Sequence, residues 1–348
     1  IYLIHQLWKG MVIFMESFII PNRTAYNALS SKEKQELTQK IALCTGAAWK
    51  KMQTFSLWGQ SLETAIYTLK DRNFVFIPGD TVTLGWNGFS DTTHPDFPKF
   101  KAALDEDILQ YWGGQFQTEE ILKHLTTPLR QAVIPPMLVE QEPINFTCSQ
   151  PVNFEELTLS EQYQQSIEDW KANPRSHQIT FDTFQLGNPK LRLTKKKEGS
   201  IFAEILVPAT VDDLQKHLET QGFTLPNGDQ WEYLCGGGCQ TLFVWGDTLE
   251  FCDEEWEQPN FFGLTIAFDP YAQEIVKDSI WPYRGGDGGV LECYGDLNVL
   301  NDLICSPHYI EWDISDETQR MQIQECLEDG LSEDYDCYRR ILVLDTQY

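Results

Sequence analysis

Cys235 and Cys239 flank three glycines, a thiol spacing that zinc ligation tolerates, and Cys252 and Cys293 would complete a four-sulfur set. The competing use is packing, because a free cysteine behaves as a small buried hydrophobe. A second chemistry lies in the acidic runs 247–257 and 313–317, with Asp269 in an Asp-Pro-Tyr turn. Carboxylate oxygens suit calcium. The glycine-rich run 285–289 lacks the following Lys-Ser/Thr of a phosphate cradle and reads as a turn at a strand end. None of the six histidines stands three or four positions from another, so no helix face carries two imidazoles. Nucleophile-elbow, metalloprotease and dinucleotide fingerprints are also missing from the sequence.

Composition narrows the partners. With 52 acidic and 26 basic side chains the chain of 348 residues carries a formal charge of −26. Such a surface repels phosphate backbones and anionic lipid, which excludes nucleic acid and membrane surfaces as expected partners. The nine cysteines are odd in number and widely spread, as reduced thiols of a cytoplasmic protein would be. The apolar start of the chain is interrupted by His5, Gln6, Lys9 and Glu16, so it falls short of a bilayer span and of a signal peptide's order. The cluster Lys195 to Lys197 reads as a solvated turn.

The elements that must position these groups follow from caps and periods. Ser30 and Glu33 have capping-box spacing, and Leu37, Ile41, Cys44, Ala48, Met52 and Phe55 continue at steps of three or four, predicting one amphipathic helix. A second helical stretch is expected around Leu62, Ile66 and Leu69. Aromatic and β-branched residues at 74–77 and 81–84, on either side of Pro78-Gly79-Asp80, then predict a β-hairpin. A weak helical signal returns over 98–127, broken by Gly113 and Gly114, and residues 128–200 read as short strands and long loops. Thr210 and Asp213 cap a helix over 211–221, with Gly222 as its stop; Asn227 and Gln230 cap another that three glycines end. The division expected is an N-terminal helical extension over 1–72 and one larger domain over 73–348 with an acidic C-terminal segment.

A ladder of landmarks occupies the second half: Leu225-Pro226, Trp231-Glu232-Tyr233 closed by Gly236 to Gly238, Trp245-Gly246-Asp247, Asn260 with Gly263-Leu264, and Arg284-Gly285-Gly286. In order and spacing this resembles the formylglycine-generating-enzyme, or sulfatase-modifying-factor, family. With the segment Ile77-Pro78-Gly79 to Gly85 as an opening strand pair, the resemblance extends over most of 74–312. It implies an α+β fold, a loop-rich variant of the C-type-lectin fold with small twisted antiparallel sheets. Each landmark also has a purely structural use: tryptophans bury area while directing an indole N–H to a backbone acceptor, and Glu232 and Arg284 are placed to pair across the core.

The family's founding reaction oxidises a substrate cysteine with copper(I) held by two cysteines five positions apart after the glycine-glycine strand. Here only Cys293 lies nearby; Asn298 stands five residues later, and the next thiol is Cys305. Cys293 and Cys305 are thus the only catalytic candidates, and copper is not expected. An iron-dependent branch uses histidines at helical spacing, which this chain lacks. Metal candidates are Cys235, Cys239 and, for the family's structural calcium, Asp269, although Pro270-Tyr271 replaces the usual asparagine-valine. The expected role is non-catalytic binding of a protein or small molecule by loops that converge through Trp245, Asp247, Asn260, Arg284 and Asp287. The alternative is an oxidoreductase with a rearranged thiol or metal site.

Overall fold

The structure is a computed structural model and describes residues 18–90, 92–114, 116–147, 149–156, 161–182, 190–196, 199–207, 209–248, 258–266, 271–277, 281–286, 288, 299–310, 317–318, 321 and 330–345. After a short helix α1 (Arg23–Asn27), the long helix α2 (Ser31–Thr45) opens with the expected Ser30–Glu33 capping box. It stops earlier than the periodicity predicts. Gly46 takes a left-handed φ of +73° and accepts the chain's exit, and residues 48–57 become strand β1 (Ala48–Leu57), not helix. The second expected helix is also a strand, β2 (Gln60–Leu69), paired antiparallel with β1. Trp58 and Gly59 join them with φ of +47° and +73°, the backbone of a tight two-residue hairpin.

These strands are not an extension. β1 and β2 run into β3 (Arg72–Ile77), β6 (Met137–Glu140) and the C-terminal β15 (Ile341–Val343) as one five-stranded antiparallel sheet, so residues on both sides of position 72 share it. β4 (Asp80–Leu84) does not fold back on β3 as the hairpin reading predicts. It pairs with β5 (Arg130–Ile134), and the register that joins Ile77 to Met137 continues unshifted to join Asp80 to Ile134. The two long segments therefore form one antiparallel ribbon, bent where Pro78-Gly79 meets Pro135-Pro136. A Cβ on Gly79 would lie 2.5 Å from the carbonyl oxygen of Ile134, so only glycine allows this approach.

Helices α3 (Phe97–Trp112) and α4 (Thr118–His124) fill the interval between β4 and β5. Two small sheets complete the architecture. One orders β8 (Ser149–Val152), β11 (Ile201–Leu206), β10 (Lys190–Lys195) and β9 (Gln178–Asp182), covered by α5 (Glu161–Ala172) through a separate small core of Ile167, Trp170, Leu191, Leu193 and Ala203. Lys195, expected in a solvated turn, instead donates to the carbonyls of Trp170 and Asn173 at the end of α5. The other sheet orders β13 (Tyr283–Gly285), β12 (Gln273–Ile275), β14 (Asp336–Tyr338) and β7 (Ile144–Asn145), with β12 and β14 parallel. The fold is thus α+β with small, mainly antiparallel sheets. Helices α6 (Val211–Thr220) and α7 (Gly228–Gly236) carry the capping boxes expected of them. Among the described residues no helix is long and apolar enough to cross a membrane.

Candidate functional site

Helix α7 is the platform. Asn227 and Gln230 satisfy its first turn, Gly237 ends it at φ +64°, and seven of its nine residues are buried, Trp231 and Tyr233 almost completely. That burial carries Glu232 into the interior. Its Oε1 accepts from the backbone N–H of Gly85 at 2.6 Å and faces His308 Nδ1 at 2.7 Å; its Oε2 accepts from Thr127 at 2.9 Å and Arg130 at 2.8 Å. Burial alone would raise the Glu232 pKa, but the bond and charge of His308 and the charge of Arg130 outweigh it and hold the group at about 2. Arg130 also bonds Asp229, one turn earlier on the helix.

The far side of the imidazole meets a thiol. Cys239 Sγ lies 3.9 Å from His308 Nε2, and the carbonyl oxygen of Thr241 lies 3.2 Å from the same nitrogen. Cys239 is half-buried, whereas His308 is enclosed. Desolvation pushes the Cys239 thiol up, and the charges of Glu232 and Asp247 add to this. Ser306 fixes the segment that carries His308: its hydroxyl donates to Leu242 O and accepts from the His308 N–H.

The residues expected to bind a ligand are mostly spent on the fold. Asp247 accepts from Leu242 N at 2.7 Å and from both N and Oγ of Ser90, tying two loops together. Asn260 donates to Leu234 O and accepts from the N–H groups of Phe262 and Leu264, which pins the Asn-x-x-Gly-Leu element to the end of α7. Arg284 does not form the expected pair with Glu232. It donates to the carbonyls of Trp281 and Tyr283, and burial lowers it to about 10. Trp245 is half-buried; its ring lies parallel to Phe243 at 5.0 Å and 5.2 Å from Trp58, and its indole donates to Thr248 O. Trp231 departs from expectation, its indole nitrogen being buried without a hydrogen-bond partner.

Cys235 and Cys305 are both buried thiols, raised well above the ordinary range by desolvation. Asp269, Asp287, Cys252 and Cys293 lie outside the described residues, as do most of the two acidic runs. Among the described residues no three His, Cys, Asp or Glu side chains converge as a metal-ligand set. The sequence reading missed His308 and Arg130. His308 stands 76 positions from Glu232 and 69 from Cys239, so no local spacing could reveal the line they form.

A scan against protein-family models finds no match to the chain, and a search of curated proteins finds none either.

Proposed function

We propose that this chain is a divergent member of the formylglycine-generating-enzyme family, in a C-type-lectin-like fold, that binds a protein or small-molecule partner through its loops instead of oxidising a cysteine. One observation carries the reading. The family-like landmarks Glu232, Asp247 and Asn260 are all buried and each bonds backbone of a different, distant segment, which is what a scaffold requires and what a substrate-contacting set would not do. Support for lost oxidase chemistry comes from Cys305, which is fully enclosed and held as a neutral thiol. Acidic loops and a partner with basic or neutral character fit the formal charge of −26.

The part of the surface best suited to a partner is the β1–β2 hairpin tip. Trp58 holds a left-handed backbone, unusual for a bulky side chain, and so keeps its ring beside Trp245. Large rigid aromatics of this kind dominate binding energies. Two measurements test the reading. With copper(I), oxygen and a cysteine-containing peptide, no aldehyde product is expected; aldehyde formation overturns it. A photo-crosslinking residue at position 58, in the producing cells, is expected to give an adduct of one defined mass that the same residue at position 171, on α5, does not give. Identical adduct patterns at both positions overturn the loop-binding role.

A further inference from the structure

We propose that the cavity beside helix α6 is a binding site for an organic cation that carries one ammonium group on an apolar body. The site rests on neither the hairpin tip nor the line from Glu232 to Cys239. It lies where the small sheet with its own core meets the main body, and its volume is about 490 Å³. Three elements wall it. Ile144 and Tyr338 stand opposite each other on β7 and β14 and so share one face of that sheet. Gln150 of β8 and Val207, just past the end of β11, form the second wall, and Leu214 and His217 of α6 form the third.

One turn of α6 gives the cavity both an apolar wall and a polar rim. Leu214 is buried, whereas Asp213 and His217 are exposed at the mouth. Helical geometry produces this division, because neighbours on a helix point about 100° apart and residue 217 returns to the same side one turn on. A volume of about 490 Å³ takes up to roughly 20 non-hydrogen atoms at interior packing density. That lies within the range of small-molecule sites. An apolar body placed there removes Ile144, Val207 and Leu214 from contact with water, which is the main source of affinity.

Charge then selects the polar end. Neither lysine nor arginine lines the cavity among the described residues, and burial pushes the Tyr338 hydroxyl up, so it stays a neutral phenol. The side-chain amide nitrogen of Gln221, a donor, lies 2.7 Å from His217 Nε2, which therefore accepts instead of carrying a proton. Asp213 is the charged side chain of the lining. The N–H and the hydroxyl of Thr210 donate to its Oδ2 at 3.1 and 2.9 Å, which holds the carboxyl below its ordinary range and leaves Oδ1 as the oxygen a ligand meets. An anion at this mouth would face Asp213 and the field of a chain charged −26, and an ammonium is attracted by both. Because Asp213 is exposed, water screens it; charge supplies the selectivity and the apolar walls supply most of the affinity.

The test uses the full chain and three probes that share a naphthalene with a five-carbon tail, ended by an amine, a hydroxyl or a carboxylate, titrated by calorimetry at neutral pH and physiological ionic strength. The amine is expected to bind one to one, about 3-fold more tightly than the alcohol and about 10-fold or more above the carboxylate. Ala209→Phe, which puts a ring into the cavity, is expected to weaken the amine by about 10-fold or more. Asp213→Asn keeps an acceptor for Thr210 and so keeps the helix cap. It is expected to bring the amine to within about 2-fold of the alcohol and to leave the alcohol unchanged. The alcohol thereby reports that this variant is folded, and the order of the three probes on the wild type needs no variant. No binding of the amine up to millimolar concentration, a carboxylate that binds as tightly as the amine, undiminished binding to Ala209→Phe, or a wild-type preference for the amine in Asp213→Asn overturns the proposal.

Discussion

Two buried ion networks hold the interior together, and they are built differently. Around β6 and β15, Arg340 clamps Glu140 through two bonds at 2.8 and 2.9 Å, and Arg339 clamps Glu274 at 2.7 and 3.0 Å while donating to the carbonyls of Glu140, Gln141 and Thr265. Every carboxylate there faces a guanidinium, a group that does not lose its proton in the working pH range. Around α7, Glu232 has a guanidinium on one side only, and on the other the line ends in an imidazole and a thiol. The first network ties β6 and β12 to the segment that leads into β15. The second joins a helix to three loops and puts a half-buried thiol at its end.

The sharpest way to break this comparison is to remove the most enclosed tie. Arg339 is fully buried, and Arg339→Met leaves Glu274 charged in the interior and three carbonyls without their donor. A loss of about 3–5 kcal/mol in unfolding free energy is expected from denaturant titration. A loss below about 1 kcal/mol would show that this network is not what joins the sheets.

Glu232→Gln is the next largest. The folded pKa of about 2 against an ordinary 4.5 corresponds to about 3 kcal/mol of stability. Because the folded value is depressed, that stability is fully present above pH 4.5 and is lost as pH falls toward 2. The difference between wild type and Glu232→Gln is therefore expected to be constant from neutral pH down to about 5 and then to shrink steadily. A difference that grows on acidification would reverse the sign and remove the ionised anchor from behind His308. Smaller again is Thr127→Val, which deletes one neutral donor to the same carboxylate. About 1–2 kcal/mol is expected, together with a small upward shift of the acid midpoint.

How far the sequence carried these conclusions depended on the range of the signal. The capping boxes at Ser30, Thr210 and Asn227 were legible because each lies within one turn of chain, and all three form. The stretch from Ala48 to Leu69 was misread because a few apolar residues at steps of three or four look like a helix face when β1 buries only Phe55 and so shows no alternation, and the turn that decides is Trp58-Gly59, where tryptophan is not the residue a tight hairpin favours. The bent ribbon was not legible: Pro78-Gly79-Asp80 was read as the turn of a hairpin, and the partner bend at Pro135-Pro136 lies 57 residues on. The landmarks around Glu232, Asp247 and Asn260 were found as a ladder, yet their bonds turned out to face inward. His308 and Arg130 carried no local pattern at all, and only the fold places them beside Glu232.

The smallest effect sharpens the comparison at its rim. Arg72 Nε bonds Glu140 Oε1 at 2.6 Å, a shorter contact than either bond from Arg340 to the same carboxylate. Distance would rank it as the stronger tie. Its side chain, however, is 40% exposed, against 9% for Arg340, so water and salt screen it and replace it when it is gone. Arg72→Gln is expected to cost less than about 0.5 kcal/mol and Arg340→Gln about 2–3 kcal/mol, because only the second change leaves Glu140 without its buried counter-charge. Equal costs in parallel denaturant titrations would mean that contact length, and not enclosure, sets the strength of these pairs, and the contrast between the two networks would have to be drawn again from distances alone.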